Sequence, residues 1–420
     1  MSARNRELLN LVLVGMLTAM GFASVYIARQ EVVSTASLSY AAVFLGLYLV
    51  AHVLARMAVP YADPYLLPMA GLLAALGVTE IYRLNPDDAF RQGGWIVAGV
   101  VLFGATLLAL RRDYRRLEAY KYLFGLSAVG LLALPALPGI GAEINGARLW
   151  VDLGPIQFQP GEFAKIALIV FLAGYLREKR EVLAQGRVKD FGPLLLIWGA
   201  AMLVLVETND LGSALLYFGI FLAMVYAATA RAWLAALGTA LFAAGALAAY
   251  HLIPRVETRI SIWLDPWQDP HGDGYQLVQS LYSIANGGFG GTGLGDGTFT
   301  TSGGNLLIPD ANTDFIYSAL AQEVGLIGAA GLLLVYMLFA SRGFRTALLA
   351  DDGFSKLLAV GLTFGFALQT FIIVGGIVRL IPLTGITLPF VSYGGSSLLA
   401  NFVLLALLLL VSNRANEESA

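Results

Sequence analysis

The chain has 420 residues, 58% of them hydrophobic and 13% charged, with a formal net charge of −2. Soluble globular domains carry about a quarter charged residues, so this composition excludes one and points to an all-α polytopic membrane protein. Cysteine is absent and the three histidines (His52, His251 and His271) are scattered, which excludes disulfides, cysteine redox or metal sites and a histidine metal cluster.

A membrane-crossing helix needs about 20 apolar residues. Twelve stretches qualify, at about 8–28, 35–57, 65–82, 94–110, 119–138, 161–176, 191–206, 211–229, 232–252, 315–340, 355–378 and 395–412. The first follows a short basic start, Arg4 and Arg6, and is too long for a signal-peptide core, so it is expected to be retained. With the N-terminus placed in the cytoplasm and the spans alternating, 18 of the 26 Lys and Arg residues fall on the cytoplasmic side and seven outside, with Lys165 inside a span. Cytoplasmic loops carry the excess of positive charge, so both termini are expected there. The long loop at about 253–314 is then extracellular. Its aromatic residues, among them Trp263, Trp267 and Tyr275, argue against disorder.

The outside segments hold the polar motifs. In the first, Arg148 and Trp150 are followed by Gln159-Pro160-Gly161-Glu162-Phe163-Ala164-Lys165. Pro160 and Gly161 suit a helix start, and Glu162 and Lys165 lie three apart on one helical face, within pairing distance. Ions in or near hydrocarbon are costly unless paired. The pair either fixes the helix or forms the polar wall of a cavity, where Arg148 and Trp150 would face an anionic ligand. In the second, Asn209 or Asp210 either caps the next helix or faces the same cavity.

The third is the run 286–297, with seven glycines in twelve positions, which permit sharp turns and close backbone approach. Gly288-Phe289-Gly290-Gly291-Thr292-Gly293 fits a dinucleotide pattern, but no strand precedes it and the segment faces away from cytoplasmic nucleotides. The fourth spans Val378 to Ser397, with Pro382, Pro389 and several glycines, and reads as a re-entrant or broken helix in which Arg379 is the cation.

The fifth, 306–317, closes the long loop and opens an apolar helix. Asp314 sits where exposed backbone meets lipid-buried backbone. Thr313 can cap the helix, whose dipole favours an acid in its first turn. Asp314 is then either an ordinary N-terminal acid or a catalytic one.

Together these segments resemble the RodA–FtsW–SpoVE family of SEDS proteins, from about 65 to 412. The resemblance is carried by Asn145-Gly146-Ala147-Arg148 with Trp150, Gln159-Pro160 with Glu162 and Lys165, and Asp265-Pro266-Trp267. Gly274-Tyr275-Gln276 with Gln279-Ser280, Thr313-Asp314-Phe315-Ile316, Pro382-Leu383-Thr384-Gly385 and Ser392-Tyr393-Gly394-Gly395-Ser396-Ser397 complete it. Residues 1–60 read as an added N-terminal helix pair, as in some rod-shape-type members, and 61–420 as the transmembrane core. The chain departs from the family pattern at Asp310, Asn312, Gly161 and Arg379.

The resemblance implies an architecture similar to GT-C-type lipid-linked sugar transferases in the bacterial plasma membrane. It implies polymerisation of lipid II into glycan strands at the outer face, in cell elongation and shape maintenance, together with a class B penicillin-binding protein as transpeptidase. Division-type polymerisation and lipid II flipping are the alternatives. Asp314 matches the catalytic aspartate, and Glu162 and Lys165 match functionally important residues. Arg148, Trp150, Asp210, Gln279, Thr313, Arg379, Ser392, Gly395 and Ser396 are expected to contact substrate. No obligatory cofactor follows; a divalent cation, Mg or Mn, is one means of stabilising a leaving diphosphate.

Overall fold

The computed structural model describes residues 2–30, 35–144, 147–152, 154, 157–184, 192–299 and 306–417. In lipid every backbone polar group must find a partner within the protein, which favours helices, and helices make up most of the chain. In order they are α1 (Ala3–Gln30), α2 (Thr35–Ala58), α3 (Leu66–Leu84), α4 (Pro86–Leu110), α5 (Arg116–Ala119) and α6 (Lys121–Ala133). A small antiparallel sheet follows: β1 (Gly141–Ile144), β2 (Ala147–Asp152) and β3 (Gln157–Phe158), in spatial order 1-2-3. Then come α7 (Gly161–Ala184), α8 (Gly192–Glu207), α9 (Leu211–Thr229), α10 (Ala232–Leu252), α11 (Pro254–Leu264), α12 (Tyr275–Gly287), α13 (Ile316–Leu349), α14 (Gly353–Ile377) and α15 (Gly395–Glu417).

Each of the twelve expected spans falls on a helix. Among the described residues nine are long and apolar enough to cross a membrane. The other three are α6, which stops at a tight turn over Leu134–Ala136 around Pro135, the 16-residue α8, and α7, which carries Glu162 and Lys165 near its start. Core and periphery separate clearly: the apolar window of α15 is 83% buried and that of α10 is 0% buried. The long loop contains two amphipathic helices, α11 and α12. The outside segment around Arg148 is β-structure.

Polar contacts define two faces. On one, Arg4 donates to the Ala62 carbonyl, Arg342 pairs with Asp63, and the Tyr61 N–H donates to Asn413 at 2.8 Å. These residues belong to the segments rich in positive charge. The opposite face carries the sheet, α11, α12 and the turns before α7, α9, α13 and α15.

The stretch between α14 and α15 is non-helical, as expected, although much of it is buried. Such backbone persists only where the protein satisfies it. Tyr336 donates to the Pro389 carbonyl at 2.6 Å, Gln369 to Thr387 at 2.9 Å and Gln92 to Ser392 at 3.1 Å. Gly77 lets α3 approach the Val391 backbone, which any side chain there would overlap. A second irregularity was not expected: α13 is broken at Gly325 (φ 66°). The apolar residues on both sides of Gly325 hide the break.

Candidate active site

A cavity of 1460 Å³ opens on the face opposite the basic segments. Its wall is shared by the start of α4, the sheet, the starts of α7 and α9, one side of α11, residues 309–314 and the 383–395 turn. All of these were assigned to the same side from charge bias alone.

Asp314 is in the wall, and its position is set by its neighbours. Its own N–H and that of Thr313 donate to the Asp310 carbonyl at 3.1 and 3.0 Å. The Ser392 hydroxyl donates to the Thr313 carbonyl at 2.6 Å, and the Tyr393 N–H to the Asn312 carbonyl at 2.8 Å. Asn312 donates in turn to Asp88 at 2.8 Å. Phe315 and Ala311 anchor the segment in the core at 1% and 0% exposure. Gly385 passes beside the carboxylate, and a Cβ there would lie 3.4 Å from Asp314 Oδ2 and 3.9 Å from an Arg259 nitrogen. Among the described residues Asp314 makes no ion pair. Burial in the wall, and then the charge of Asp310, push its carboxyl up to about 7 against the opposing pull of Arg259.

The expected cap is corrected here. Phe315 is the residue before α13, and the helix has no acid in its first turn. The Thr313 hydroxyl instead donates to the Asp310 carbonyl at 2.9 Å. Asp314 is therefore held by a turn ahead of the helix, and the simple N-terminal-acid reading does not apply.

Glu162 and Lys165 form the expected pair, at 2.8 Å. Lys165 is buried behind the wall and also donates to Gln369 at 2.6 Å, whereas Glu162 lines the cavity. This corrects the expectation that Lys165 faces the ligand. Trp150, Asp210, Thr313 and Gly395 line the cavity as expected. Asp210 also caps α9 by accepting from the Ser213 N–H at 2.9 Å, so both of its readings hold. Burial raises its pKa.

Five expected contacts are corrected. Arg148 does not line the cavity and pairs with Glu143 at 3.1 Å on an exposed surface. Gln279 lies on α12 beside a second, separate cavity. The Arg379 guanidinium donates to the carbonyls of Trp263 and Leu264 and lies over the Trp267 ring, fastening the end of α11. Ser392 holds the Thr313 carbonyl, as described above. Ser396 accepts from the Gln159 N–H at 2.8 Å, joining α15 to the approach of α7.

Sequence reasoning missed the cations that do line the cavity: Arg91, Arg255 and Arg259. Arg255 and Arg259 lie one turn apart on the amphipathic helix α11. That amphipathic spacing was the available signal. Arg259 also donates to the Thr384 carbonyl at 3.2 Å. Burial, then the proximity of Arg255, lower its pKa.

Residues 65–417 match the FtsW/RodA/SpoVE family model, described as cell cycle protein. The chain belongs to this family. It is 42% identical to the peptidoglycan glycosyltransferase RodA of Mycobacterium bovis, over 98% of this chain and 91% of that one. It is 35% identical to the probable peptidoglycan glycosyltransferase FtsW of Geobacter metallireducens, over 84% and 95% respectively. A solved structure described as coordinating polymerisation and crosslinking in a peptidoglycan synthase complex superposes with a TM-score of 0.70 at 31% identity. It covers 84% of this chain and 98% of that chain.

Proposed function

We propose that the chain is a peptidoglycan glycosyltransferase of the rod-shape type, working at the outer face of the bacterial plasma membrane on lipid II. The observation that carries this reading is the Asp314 carboxylate, which makes no ion pair among the described residues and stands beside Arg259 in the wall of a large cavity with three arginines. A cavity of 1460 Å³ exceeds the roughly 300–1000 Å³ of a small-molecule pocket, leaving room for more than one saccharide. The match to RodA relatives extends through the N-terminal helices, whereas the FtsW match does not cover the whole chain, which favours elongation over division.

The geometry supports an inverting displacement. A sugar hydroxyl of one lipid II attacks the anomeric carbon of the other, and Asp314 takes the hydroxyl proton as the new C–O bond forms. The bond to the diphosphate breaks with its electron pair leaving on oxygen. A base is most effective when its pKa lies near the working pH, which a carboxyl raised to about 7 satisfies. Arg255 and Arg259 stabilise the leaving diphosphate electrostatically. A divalent cation, Mg or Mn, held by the diphosphate together with one or two carboxylates of the cavity, would add to this stabilisation. The placement of both termini in the cytoplasm, a class B penicillin-binding protein as partner and a GT-C-like plan belong to the same reading.

The test is incubation of purified chain in detergent with lipid II, with products resolved on a gel. Glycan ladders from the wild type, lost in Asp314→Asn, support the reading. A chain that moves lipid II across vesicles yet forms no glycan in detergent is a flippase.

A further inference from the structure

A second cluster of charge lies away from the cavity. Arg83 on α3 pairs with Glu323 of α13 at 2.6 Å and donates to the Gly297 carbonyl. Glu323 also accepts from the N–H groups of Gly295 at 2.9 Å and Gly297 at 3.4 Å. Both side chains are buried. The glycine-rich run therefore wraps a carboxylate of its own chain. It also fills the break in α13. Thr292 and Gly293 donate to the carbonyls of Gln322 and Glu323, both at 3.0 Å, and Leu326 donates to Gly288 at 2.9 Å. A side chain at Gly291 would overlap the Glu323 carbonyl. Every residue from Phe315 to Glu323 is buried, so one packed helical segment connects Glu323 to Asp314, nine residues before it.

The far end of α1 reaches the same loop. A Cβ on Gly295 would lie 2.5 Å from Ala28 Cβ and 3.2 Å from Val25 Cα. Phe22 packs edge-on to Tyr82, the neighbour of Arg83, at 5.8 Å, and stacks on Phe44 of α2 at 6.0 Å. Gly21 lets α1 close on Thr79. Yet α1 and α2 lie outside residues 65–417, which match the family model.

We propose that α1 and α2 act as a built-in brace: Phe22 and Val25 are positioning residues that hold the glycine-rich loop and, through Arg83 and Glu323, keep Asp314 in place. The effect on catalysis rests on Asp314 being the base of the proposed polymerase; the effect on the loop does not.

The test uses the full chain carrying Phe22→Ala and Val25→Ala, with hydrogen exchange read peptide by peptide. Amides in 287–299 and 310–316 should exchange about 10-fold faster, while those of α14 and α15 stay unchanged. In the same protein kcat on lipid II should fall about 10- to 100-fold with KM unchanged, the signature of a misplaced group. A Cβ at Gly21 would lie 3.9 Å from Thr79 Cβ, within the range a disulfide spans, and the chain has no other cysteine. Adding Gly21→Cys and Thr79→Cys should restore protection when oxidised and lose it on reduction. If the double alanine variant cannot be recovered folded, the Cys pair alone decides, with greater protection expected in the oxidised form. Unchanged exchange in 287–316 peptides, or faster exchange spread evenly over all helices, overturns the brace. Local loosening in a chain whose wild type makes no glycan upholds the brace and rejects the polymerase.

Discussion

The cavity and the glycine-wrapped cluster both place charge near the same face, and they are built in opposite ways. Around Glu323 the acceptors are used up: one guanidinium and two backbone N–H groups converge on the carboxylate. Around Asp314 they are not. Its neighbours bind the backbone on either side of it, and the carboxylate itself is left facing the cavity with no ion pair among the described residues. A fully partnered buried charge gives fixed geometry, and a partly desolvated unpaired one retains reactivity. Lys165 falls on the structural side of this division and Glu162 at its edge.

The contrast is broken most severely at Asp314. Asp314→Asn should lower glycan formation by about 10²- to 10⁴-fold, the usual contribution of a general base, measured with lipid II in detergent. Its melting temperature at neutral pH should equal or exceed that of wild type, because the substitution removes an unpaired charge. Glu323→Gln should do the reverse in kind. It takes from Arg83 the nearer of its two buried carboxylates and leaves Glu80 at 3.8 Å, so the cost should fall below the about 3–5 kcal/mol of a buried charge left alone, seen as a lower melting temperature together with reduced activity.

A smaller effect is the pH dependence of stability. The folded Asp314 carboxyl is raised from 3.8 to about 7, so between those values the folded state holds a proton that the unfolded state releases. Its contribution therefore makes stability fall as pH rises through that window, with the penalty complete above about 7. The difference in melting temperature between Asp314→Asn and wild type should widen from pH 5 to pH 8. The smallest effect is expected at Arg148→Ala. Its pairing with Glu143 is exposed and is worth about 0–1 kcal/mol, so activity and melting should stay close to wild type.

The sequence revealed what local spacing controls. The spans follow from apolar length, the Glu162–Lys165 pair from three-residue spacing, and the common face of the cavity segments from charge bias. Asp314 stood out because an acid at the start of an apolar helix needs a reason. What stayed hidden depends on distant packing. The break at Gly325 makes sense only once the 287–293 loop is seen lying against it. Arg379 read as an anion ligand because nothing local shows that the carbonyls of Trp263 and Leu264 come to it. Arg259 reaches Gly385 and Asp314 only because α11 folds back across the 383–395 turn. Arg148 and Trp150 are two apart on β2, a spacing that puts both on one strand face, so nothing local separates Trp150, in the cavity wall, from Arg148, paired with Glu143.

The most direct measurement is the pH dependence of kcat/KM for lipid II polymerisation by the purified chain. A base held in this wall predicts a rate that rises with pH along a limb centred near 7, absent from the residual activity of Asp314→Asn. A flat profile between pH 5.5 and 8.5, or the same limb in the Asn variant, would contradict the assignment.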